Sequence, residues 1–199
     1  MKQTFWEALA HRRSCYSLDK NITVTPEHIR HIVEQAVTLT PSAFNSQSAR
    51  TVVLFGGHHE TLWRITADIL RGLVPPAAFP KTAEKLQSFA AAAGTILFFE
   101  EMNTVEDLQT RFPAYKDNFP VWSQQANGML QSNIWVALEA DGLGASLQHY
   151  NPLIDEAVTA QWDLPKSWKL IAQMPFGRPT AQPGDKDTLP ATERVKVFQ

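Results

Sequence analysis

Two consecutive arginines followed by a serine, Arg12, Arg13 and Ser14, are the first residues of the sequence whose types and spacing suggest chemistry. Two guanidiniums and a hydroxyl side by side can bind a phosphate through bidentate, charge-assisted hydrogen bonds. Basic side chains are also frequent at the carboxyl end of a helix, where they meet the negative end of the helix dipole. Taken alone, the segment favours this structural explanation over a phosphate site.

A second polar segment runs from Pro41 to Gln47, where a predicted helix ends. The side chains of Asn45 and Gln47 both donate and accept hydrogen bonds, which suits the mixed polar edge of a flavin ring or a ribityl chain. Ser42, like the proline and the asparagine, is equally common in ordinary turns after a helix. The segment is therefore a candidate ligand contact and also a candidate turn.

A third segment begins with two glycines, Gly142 and Gly144, and continues through Leu147, Gln148 and His149. A strand that begins with glycine allows its backbone to approach a ligand closely. The spacing is not that of a dinucleotide-binding loop, because the third glycine of G-x-G-x-x-G is absent. The same pattern also fits a helix that ends at a glycine and leads into a strand.

The fourth segment lies near the end of the chain, where Arg194 and Lys196 alternate with Val195 and Val197. In a strand the two basic side chains point to one face and the two valines to the other. Two cations on one face could share a phosphate with the arginines of the first segment. Charges that protect an edge strand from edge-to-edge association explain the pattern as well.

The elements that must position these segments follow from caps and apolar patterns. Thr4 and Glu7 form the pattern of a capping box, which predicts a helix over about residues 5–11. Thr25 followed by Pro26 predicts the start of a second helix. The other predicted elements are helices over 59–73, 82–92 and 120–141 and strands over 51–55, 95–100, 145–147, 170–174 and 195–198. Because helices and strands are interspersed, the pattern predicts an α/β or α+β sandwich.

Apolar side chains are dense in one part of the longest predicted helix. Residues Ile134 to Ala140 are apolar nearly all round, which indicates a helix enclosed by protein on several sides. Such a stretch needs more cover than one chain of 199 residues readily supplies, so it predicts a second subunit. Six Trp and eleven Phe either fill the core or line a pocket for a flat ligand, and composition favours the core.

The composition bounds the class of protein. A chain of 199 residues fits one domain over residues 1–199. A net charge of -2 gives no electrostatic attraction to nucleic acid or to an anionic membrane. The single cysteine, Cys15, excludes an internal disulfide and a cysteine-based zinc site. Without a signal peptide or an apolar run long enough to span a bilayer, the sequence predicts a cytoplasmic protein.

Taken together and in this order, the four segments resemble those of the FMN-binding nitroreductase superfamily. The pattern is an N-terminal R-R-S, a P-S-x-x-N-x-Q about thirty residues later, a G-L-G near position 142 and a basic pair at the end. Several stretches are closer still to its small subgroup of copper-induced and fatty-acid-regulation nitroreductases, namely HRRSCYSL, TPSAFNSQSARTVVLF, GLGASLQHYNPLID and ERVKVF. The resemblance runs from about residue 5 to the end of the chain.

The resemblance implies that FMN is the cofactor and assigns a role to eleven residues. The residues of the first segment, Arg12 to Ser14, would lie near the phosphate and the ribityl chain. The polar residues of the second segment, at positions 42, 45 and 47, would reach the flavin from the neighbouring subunit. The backbone of the third segment, at positions 147 to 149, would run beside the isoalloxazine ring and offer an amide near N5. The two basic residues of the fourth segment would complete the phosphate site. In chain order these residues are Arg12, Arg13, Ser14, Ser42, Asn45, Gln47, Leu147, Gln148, His149, Arg194 and Lys196.

The implied fold is α+β, a nitroreductase-like sandwich with a mixed central sheet flanked by helices and a C-terminal strand exchanged between subunits. Tyr16 departs from the superfamily pattern, since many members have Lys or Arg two residues after the serine. This difference removes a positive charge expected near the pyrimidine end of the flavin, and it therefore bears on the redox potential of the cofactor.

The implied activity is that of a flavin-dependent oxidoreductase. NADH or NADPH would deliver hydride to N5, and a small-molecule acceptor such as a nitroaromatic or a quinone would then take the same place, giving ping-pong turnover. Because the flavin performs the chemistry, no catalytic side chain and no metal site is expected. The implied assembly is a homodimer with shared active sites.

Two other interpretations are open at this point. The same segments would serve a flavin-binding redox sensor with little turnover, and only the oxidation of NADH or NADPH separates the two. The other alternative is a metal hydrolase that uses His58, His59 and His149. The sequence disfavours it, because adjacent histidines on a helix do not face the same way and no H-E-x-x-H or similar spacing is present.

Overall fold

The structure of the chain, a computed structural model, describes residues 4–199 and has eight α-helices and five strands in that range. In chain order they are α1 (Phe5–His11), β1 (Leu18–Asp19), α2 (Pro26–Leu39), β2 (Ala49–Phe55), α3 (Gly56–Leu73), α4 (Phe79–Ala90), β3 (Gly94–Glu101), α5 (Met102–Arg111), α6 (Phe119–Ala140), β4 (Gly144–Ala145), α7 (Asp155–Gln161), β5 (Trp168–Pro179) and α8 (Ala191–Arg194).

The first two helices begin at the caps that the sequence predicts. The Glu7 N–H donates to Thr4 Oγ1 at 3.3 Å, and the Glu7 carboxylate accepts from the Thr4 N–H at 2.7 Å, which completes the capping box. Thr25 Oγ1 accepts from the His28 N–H at 3.2 Å, and Pro26 is the first residue of α2. Both predicted starts are confirmed, and α1 ends directly before the first candidate segment.

The strands form one sheet in the order β1–β5–β3–β2, and β4 also pairs with β5. β3 is buried from Gly94 to Glu100, which explains its uninterrupted apolar sequence. The α+β class is confirmed, whereas the expected mixed sheet is corrected because the strand pairs among residues 4–199 are antiparallel. The parallel link in this range is an isolated bridge between Ser14 and Ala145, since the segment after α1 pairs through a single residue.

Helices cover both faces of the sheet, because the side chains of β3 alternate between them. Ile96 and Phe98 belong to a buried cluster with residues of α2 and α6. Leu97 and Phe99 belong to a second buried cluster with residues of α3, α4 and α7. The sheet is therefore the middle layer of a three-layer sandwich, and α6 covers the face on which the first core lies.

The apolar stretch Ile134 to Ala140 of α6 is covered within a single chain. Ile134 and Leu138 are fully buried, and the other residues of the stretch are buried or half-buried. α6 packs against α1, α2, β3 and β4, so this cover comes from the same chain. The stretch does not by itself require a second subunit, which corrects the expectation drawn from its composition.

The expected strand over residues 195–198 is not present in the single chain. The short helix α8 is followed by extended residues that pair with no strand in the described range. Val195, Val197 and Phe198 are all exposed. A strand needs a neighbouring edge for its backbone hydrogen bonds, and no strand among residues 4–199 pairs with this segment. Exchange of the segment between subunits stays a prediction.

Some helices differ from the sequence-based prediction. α4 begins at Phe79, so Pro80 lies in its first turn, where the missing N–H has no intrahelical partner to lose. The apolar patterns predict neither α5 nor α7, which are both short and bury few side chains. Among residues 4–199, no helix combines the length and apolar composition that a bilayer crossing requires.

Candidate active site

The first candidate segment leaves α1 and is held by two side-chain contacts. The guanidinium of Arg12 lies over the ring of Trp135 in α6, with Cζ 4.4 Å from the ring centroid. The Nη2 atom of Arg13 donates to the carbonyl oxygen of Gly184 at 2.8 Å. The two arginines are therefore fixed by opposite parts of the chain, one by a helix and one by the loop after β5.

The segment then contacts β4. Ser14 forms the isolated bridge with Ala145, and the Cys15 N–H donates to Ala145 O at 2.9 Å. A Cβ at Gly144 would lie 2.9 Å from Leu18 Cδ2 and 3.0 Å from Cys15 Cβ, so any side chain at this position would displace its neighbours. The glycine thus allows a close approach of protein segments, and the structure brings the first and third candidate segments together.

A cleft of about 410 Å³ lies beside the two arginines. Its lining has three cations, one carboxylate and two hydroxyls, so its donors suit a phosphate. The sequence patterns do not identify Lys186, because the loop that carries it has no motif and reaches the cleft only through folding. The lining residues are Arg12, Arg13, Ser14, Tyr16, Pro183, Gly184, Asp185 and Lys186.

The third candidate segment runs along β5. The Gln148 N–H donates to Gln173 O at 2.7 Å, and the Gln173 N–H donates to Gln148 O at 2.9 Å. Among the hydrogen bonds of the described residues, none uses the N–H of Leu147 or His149. Because successive amides of an extended chain point in opposite directions, these two N–H groups face away from β5 and are free to meet a ligand.

His149 also lines a second cavity of about 420 Å³. One wall comes from β5, a second from the start of α6, and a third from the residues that follow β4. The lining combines apolar side chains with amides, a hydroxyl and a lysine: Met102, Pro120, Ser123, Gln124, His149, Asn151, Lys169, Leu170 and Ile171. A cavity of this volume and mixed lining fits one small planar molecule.

The second candidate segment stands apart from the other two. Ser42 and Gln47 line a cleft of about 220 Å³ that shares no residue with the two cavities above. Ser42 Oγ accepts from the Gln47 N–H at 2.9 Å. Phe44, Asn45 and Gln47 have φ values of 56°, 50° and 48°, in the left-handed region that non-glycine residues rarely adopt. Such strain persists where surrounding contacts enforce it, and it is frequent at functional sites.

Aromatic side chains surround this strained segment. The ring of Phe44 is 51% exposed on its outer side, and four other rings lie around it with centroids 4.9 to 6.0 Å away. These five residues, Phe44, Phe112, Tyr115, Phe119 and Trp122, form the Phe44 cluster. Part of the aromatic content therefore lies at the surface beside a candidate segment, while another part, including Trp63 and Phe89, fills the core.

Arg194 and Lys196 are not brought to the arginine cleft in the single chain. Both side chains are exposed, and the ion pairs within residues 4–199 include neither of them. Neither residue lines the 410 Å³ cleft. Their role in closing a phosphate site therefore stays a prediction that involves another chain or a rearranged tail.

Two of the three histidines of the hydrolase hypothesis, His58 and His59, have other partners. The ring nitrogens of buried His59 lie 2.8 Å from Thr95 Oγ1 and 3.2 Å from Ala90 O, and burial lowers the pKa of its imidazole. His58 Nδ1 accepts from the indole N–H of Trp162, the residue that follows α7. Within the described chain no group of three His, Cys, Asp or Glu side chains is arranged to hold a metal ion. The geometry gives this hypothesis no support.

Comparison with known proteins decides the family. The model of the nitroreductase family matches residues 9–178, a range that includes the first three candidate segments. The chain belongs to the nitroreductase family. The Saccharomyces cerevisiae nitroreductase FRM2 is 34% identical over 184 residues, which cover 92% of this chain and 91% of that protein.

Solved structures of nitroreductases share the fold. Nitroreductase CinD of Lactococcus lactis, in complex with nicotinic acid, has a TM-score of 0.91 at 45% identity over 98% of this chain and 100% of that one. CinD was also solved in complex with chloramphenicol and with 4-nitrophenol. A protein of Exiguobacterium sibiricum 255-15 in complex with FMN has a TM-score of 0.70 at 15% identity over 98% of each chain, a likeness of fold. The resemblance to the superfamily is confirmed, and it supports oxidoreductase activity.

One buried acid of this nitroreductase lies outside the candidate segments. Glu100, at the end of β3, is fully buried, and its Oε1 accepts from Asn127 Nδ2 at 2.8 Å. Asn127 Oδ1 in turn accepts from Gln131 Nε2 at 2.6 Å, which links the acid to two amides of α6. Burial raises the pKa of the Glu100 carboxyl. No sequence pattern identifies this group, because its burial depends on the packing of α6 over the sheet.

Proposed function

We propose that this nitroreductase binds FMN with Arg12, Arg13 and Ser14 and acts as an NADH- or NADPH-dependent oxidoreductase. Its acceptors are small oxidised molecules of the nitroaromatic or quinone type. The proposal rests on the basic cleft at Arg12 and Arg13 in a member of the nitroreductase family. Through β4, this cleft is connected to the segment that carries the free N–H groups of Leu147 and His149. The complexes of CinD with 4-nitrophenol and of the Exiguobacterium protein with FMN support it.

The cleft suits the phosphate end of FMN. Arg12, Arg13 and Lys186 against Asp185 leave an excess of two positive charges, which matches the charge of a phosphate monoester near neutral pH. Arg12 is already oriented by Trp135, so little side-chain entropy is lost when it meets an anion. The Ser14 hydroxyl adds a neutral donor for a phosphate or ribityl oxygen.

The third candidate segment suits the isoalloxazine end of FMN. When bound, FMN would supply the hydride transfer that no side chain of the cleft provides. The free N–H groups of Leu147 and His149 offer hydrogen bonds to a ring acceptor, and Gln148, locked on β5, keeps them in place. The 420 Å³ cavity beside His149 has room for one planar substrate at a time. The dinucleotide and the acceptor would therefore bind there in turn.

The proposal includes a homodimer with shared sites. Ser42 and Gln47 line a separate cleft in one chain, and Asn45 lies between them in the sequence, so a contribution to the partner's FMN gives these polar residues a ligand. Apolar side chains are exposed on α1, α2 and α6, and the first two of these helices both pack on α6. Burial of these exposed side chains against a second copy of the chain would stabilise the dimer. These side chains are Phe5, Trp6, Val37, Leu39, Val121 and Met129.

An absorption spectrum of the purified protein, followed by steady-state kinetics, tests the enzymatic proposal. We expect flavin bands that yield FMN on release, and oxidation of NADH or NADPH that depends on a nitroaromatic or a quinone. Because one cavity serves both substrates, double-reciprocal plots at several acceptor concentrations should give parallel lines. Intersecting lines would contradict the single cavity. Bound FMN without turnover on any acceptor would support the redox sensor instead.

Light scattering combined with flavin quantification tests the assembly. We expect a dimer with two equivalent FMN molecules, since each subunit completes the site of the other. A stable monomer with a full complement of FMN would refute the shared site. It would leave the oxidoreductase proposal itself intact, because that proposal rests on the cleft of a single chain.

A further inference from the structure

One buried glutamine connects β5 to the wall of the cavity beside His149. Gln173 lies in the middle of β5, opposite Leu97 of the central strand, and its side chain is fully buried. A buried primary amide must satisfy two donors and an acceptor, so it is retained where its partners need it. Its partners show what this residue does.

Gln173 forms hydrogen bonds with three residues of the segment that follows β4. Its backbone N–H and C=O both pair with Gln148, at 2.9 and 2.7 Å. Its side-chain Oε1 accepts from the Tyr150 N–H at 2.8 Å. Its Nε2 donates to Asn151 Oδ1 at 3.4 Å. The side chain thus extends the pairing of Gln173 from Gln148 to the two residues Tyr150 and Asn151.

This pairing decides which amides remain free. With the N–H groups of Gln148 and Tyr150 both bound to Gln173, the N–H of His149 between them must point to the other side. His149 and Asn151 line the 420 Å³ cavity, so the same pairing fixes one of its walls. Without the side-chain bonds, residues 149–151 would be held by the packing of Tyr150 on Trp63 but by no hydrogen bond to β5, and both the amide and the wall could shift.

We propose that Gln173 is a positioning residue that holds the His149 amide and the 149–151 wall of the cavity in the geometry the acceptor meets. The inference rests on the proposed function, because that function places the acceptor in this cavity. Gln173 touches neither the cavity nor a ligand, and it acts through the segment it binds. A shift of about 1 Å in such a wall is enough to reduce turnover or substrate affinity markedly.

The first test needs no cofactor and measures hydrogen exchange of the backbone. Gln173→Met keeps the length of the side chain and removes both of its hydrogen bonds. We expect exchange over residues 148–151 to become about fivefold faster, as the loss of a buried hydrogen bond predicts. Gln131→Met is the matched control, since it removes a buried amide of α6 that bonds to Asn127. It should leave that exchange unchanged.

The second test uses the enzyme with FMN and compares KM with kcat. Gln173→Met should raise KM for the acceptor roughly fivefold to tenfold and shift the flavin absorption bands, with a smaller change in kcat. Gln131→Met, at a similar loss of thermal stability, should change neither. Equal kinetics and equal spectra in Gln173→Met and the parent would overturn the inference, and so would equal changes in the two variants.

A third variant keeps the inference testable if Gln173→Met does not fold. Asn151→Ala removes the acceptor of the 3.4 Å contact from a half-buried position that also lines the cavity. We therefore expect about twofold faster exchange over residues 148–151 together with about a twofold to threefold increase in KM. Unchanged KM and unchanged exchange in this variant would also overturn the inference. Failure of the proposed function gives a different result, namely a parent protein without FMN or turnover whose exchange pattern still responds to Gln173→Met.

Discussion

The two basic segments expected at the phosphate differ in how the single chain holds them. Arg12 packs on Trp135, and Arg13 bonds to the backbone of Gly184. Arg194, by contrast, ends a four-residue helix, and Lys196 follows it on an extended, exposed tail. One half of the predicted phosphate site is therefore ordered before any ligand arrives, and the other half is not.

The difference shows where the free energy of binding must come from. A side chain that is already oriented contributes nearly its full hydrogen-bond energy, whereas one on an exposed tail must first lose conformational entropy. The ordered half can therefore bind an anion within one chain. The second half requires something else to order it, and a partner subunit would do so. Three predictions test this contrast, and a fourth concerns the buried acid Glu100; they follow in order of decreasing effect.

Removal of residues 193–199 is expected to have the largest effect. It deletes both cations of the tail and the segment predicted to pair with the partner, so FMN binding and dimerisation should be lost together. The loss of two charge-assisted contacts corresponds to at least roughly 100-fold in FMN affinity. Light scattering and flavin quantification measure both effects. A truncated protein that remains dimeric with a full complement of FMN would contradict the prediction.

Arg12→Ala and Arg194→Ala, compared side by side, test the contrast directly. Arg12→Ala removes an ordered bidentate donor and should weaken FMN binding by about 10- to 100-fold, as expected for a charged hydrogen bond. Arg194→Ala should weaken it by roughly 3- to 10-fold, because part of its gain is offset by ordering the tail. Equilibrium dialysis with FMN gives both affinities. Full FMN retention by Arg12→Ala, at dilutions where the parent retains it, would refute the assignment.

Trp135→Leu tests whether the ring orients Arg12. The variant removes the face on which the guanidinium packs and should weaken FMN binding by about twofold to fivefold, the equivalent of 0.5–1 kcal/mol for an accessible cation–π contact. Trp135→Phe is the control, since it keeps an aromatic face and loses the indole N–H. An equal loss of affinity in both variants would assign the effect to packing of α6 instead.

Glu100→Gln should have the smallest effect, on stability alone. Burial raises the pKa of the Glu100 carboxyl, so its contribution to stability is complete below the pKa of the unfolded chain and is lost as the pH rises through the folded value. Glutamine keeps an acceptor for Asn127 and cannot ionise. Thermal unfolding against pH should therefore fall less steeply on the alkaline side in the variant. Parallel curves for both proteins would show that Glu100 does not titrate in this range.

Local patterns predicted the elements whose ends are set by neighbouring residues. The capping box at Thr4 and the proline at position 26 fixed two helix starts, and the short apolar runs of β2 and β3 became strands. The helices α5 and α7 escaped prediction, because their few buried side chains give no clear period. The tail was predicted as a strand from its alternation, although pairing requires an edge that the sequence cannot show.

The candidate site was predictable only where its residues are consecutive. Arg12 to Ser14 stand together in the sequence, and the structure places them in one cleft. Lys186 and Gln173 were not predicted, because one arrives on a loop without a motif and the other acts through a strand pairing with Gln148 across 25 positions (173 − 148). Contacts between distant segments are decided by sheet register, and register is a property of the whole fold.

The pair of glycines that joins β4 to β5 also sets limits for anyone who wishes to change the acceptor range by random mutagenesis. Gly144 lies opposite Gly177, and a Cβ at Gly177 would lie 2.5 Å from Asp19 O, a backbone atom that cannot move aside. A side chain at Gly177 would therefore displace β1, and one at Gly144 would displace the side chain of Leu18, so variation at these two positions changes the packing of β1 before it reaches the acceptor cavity.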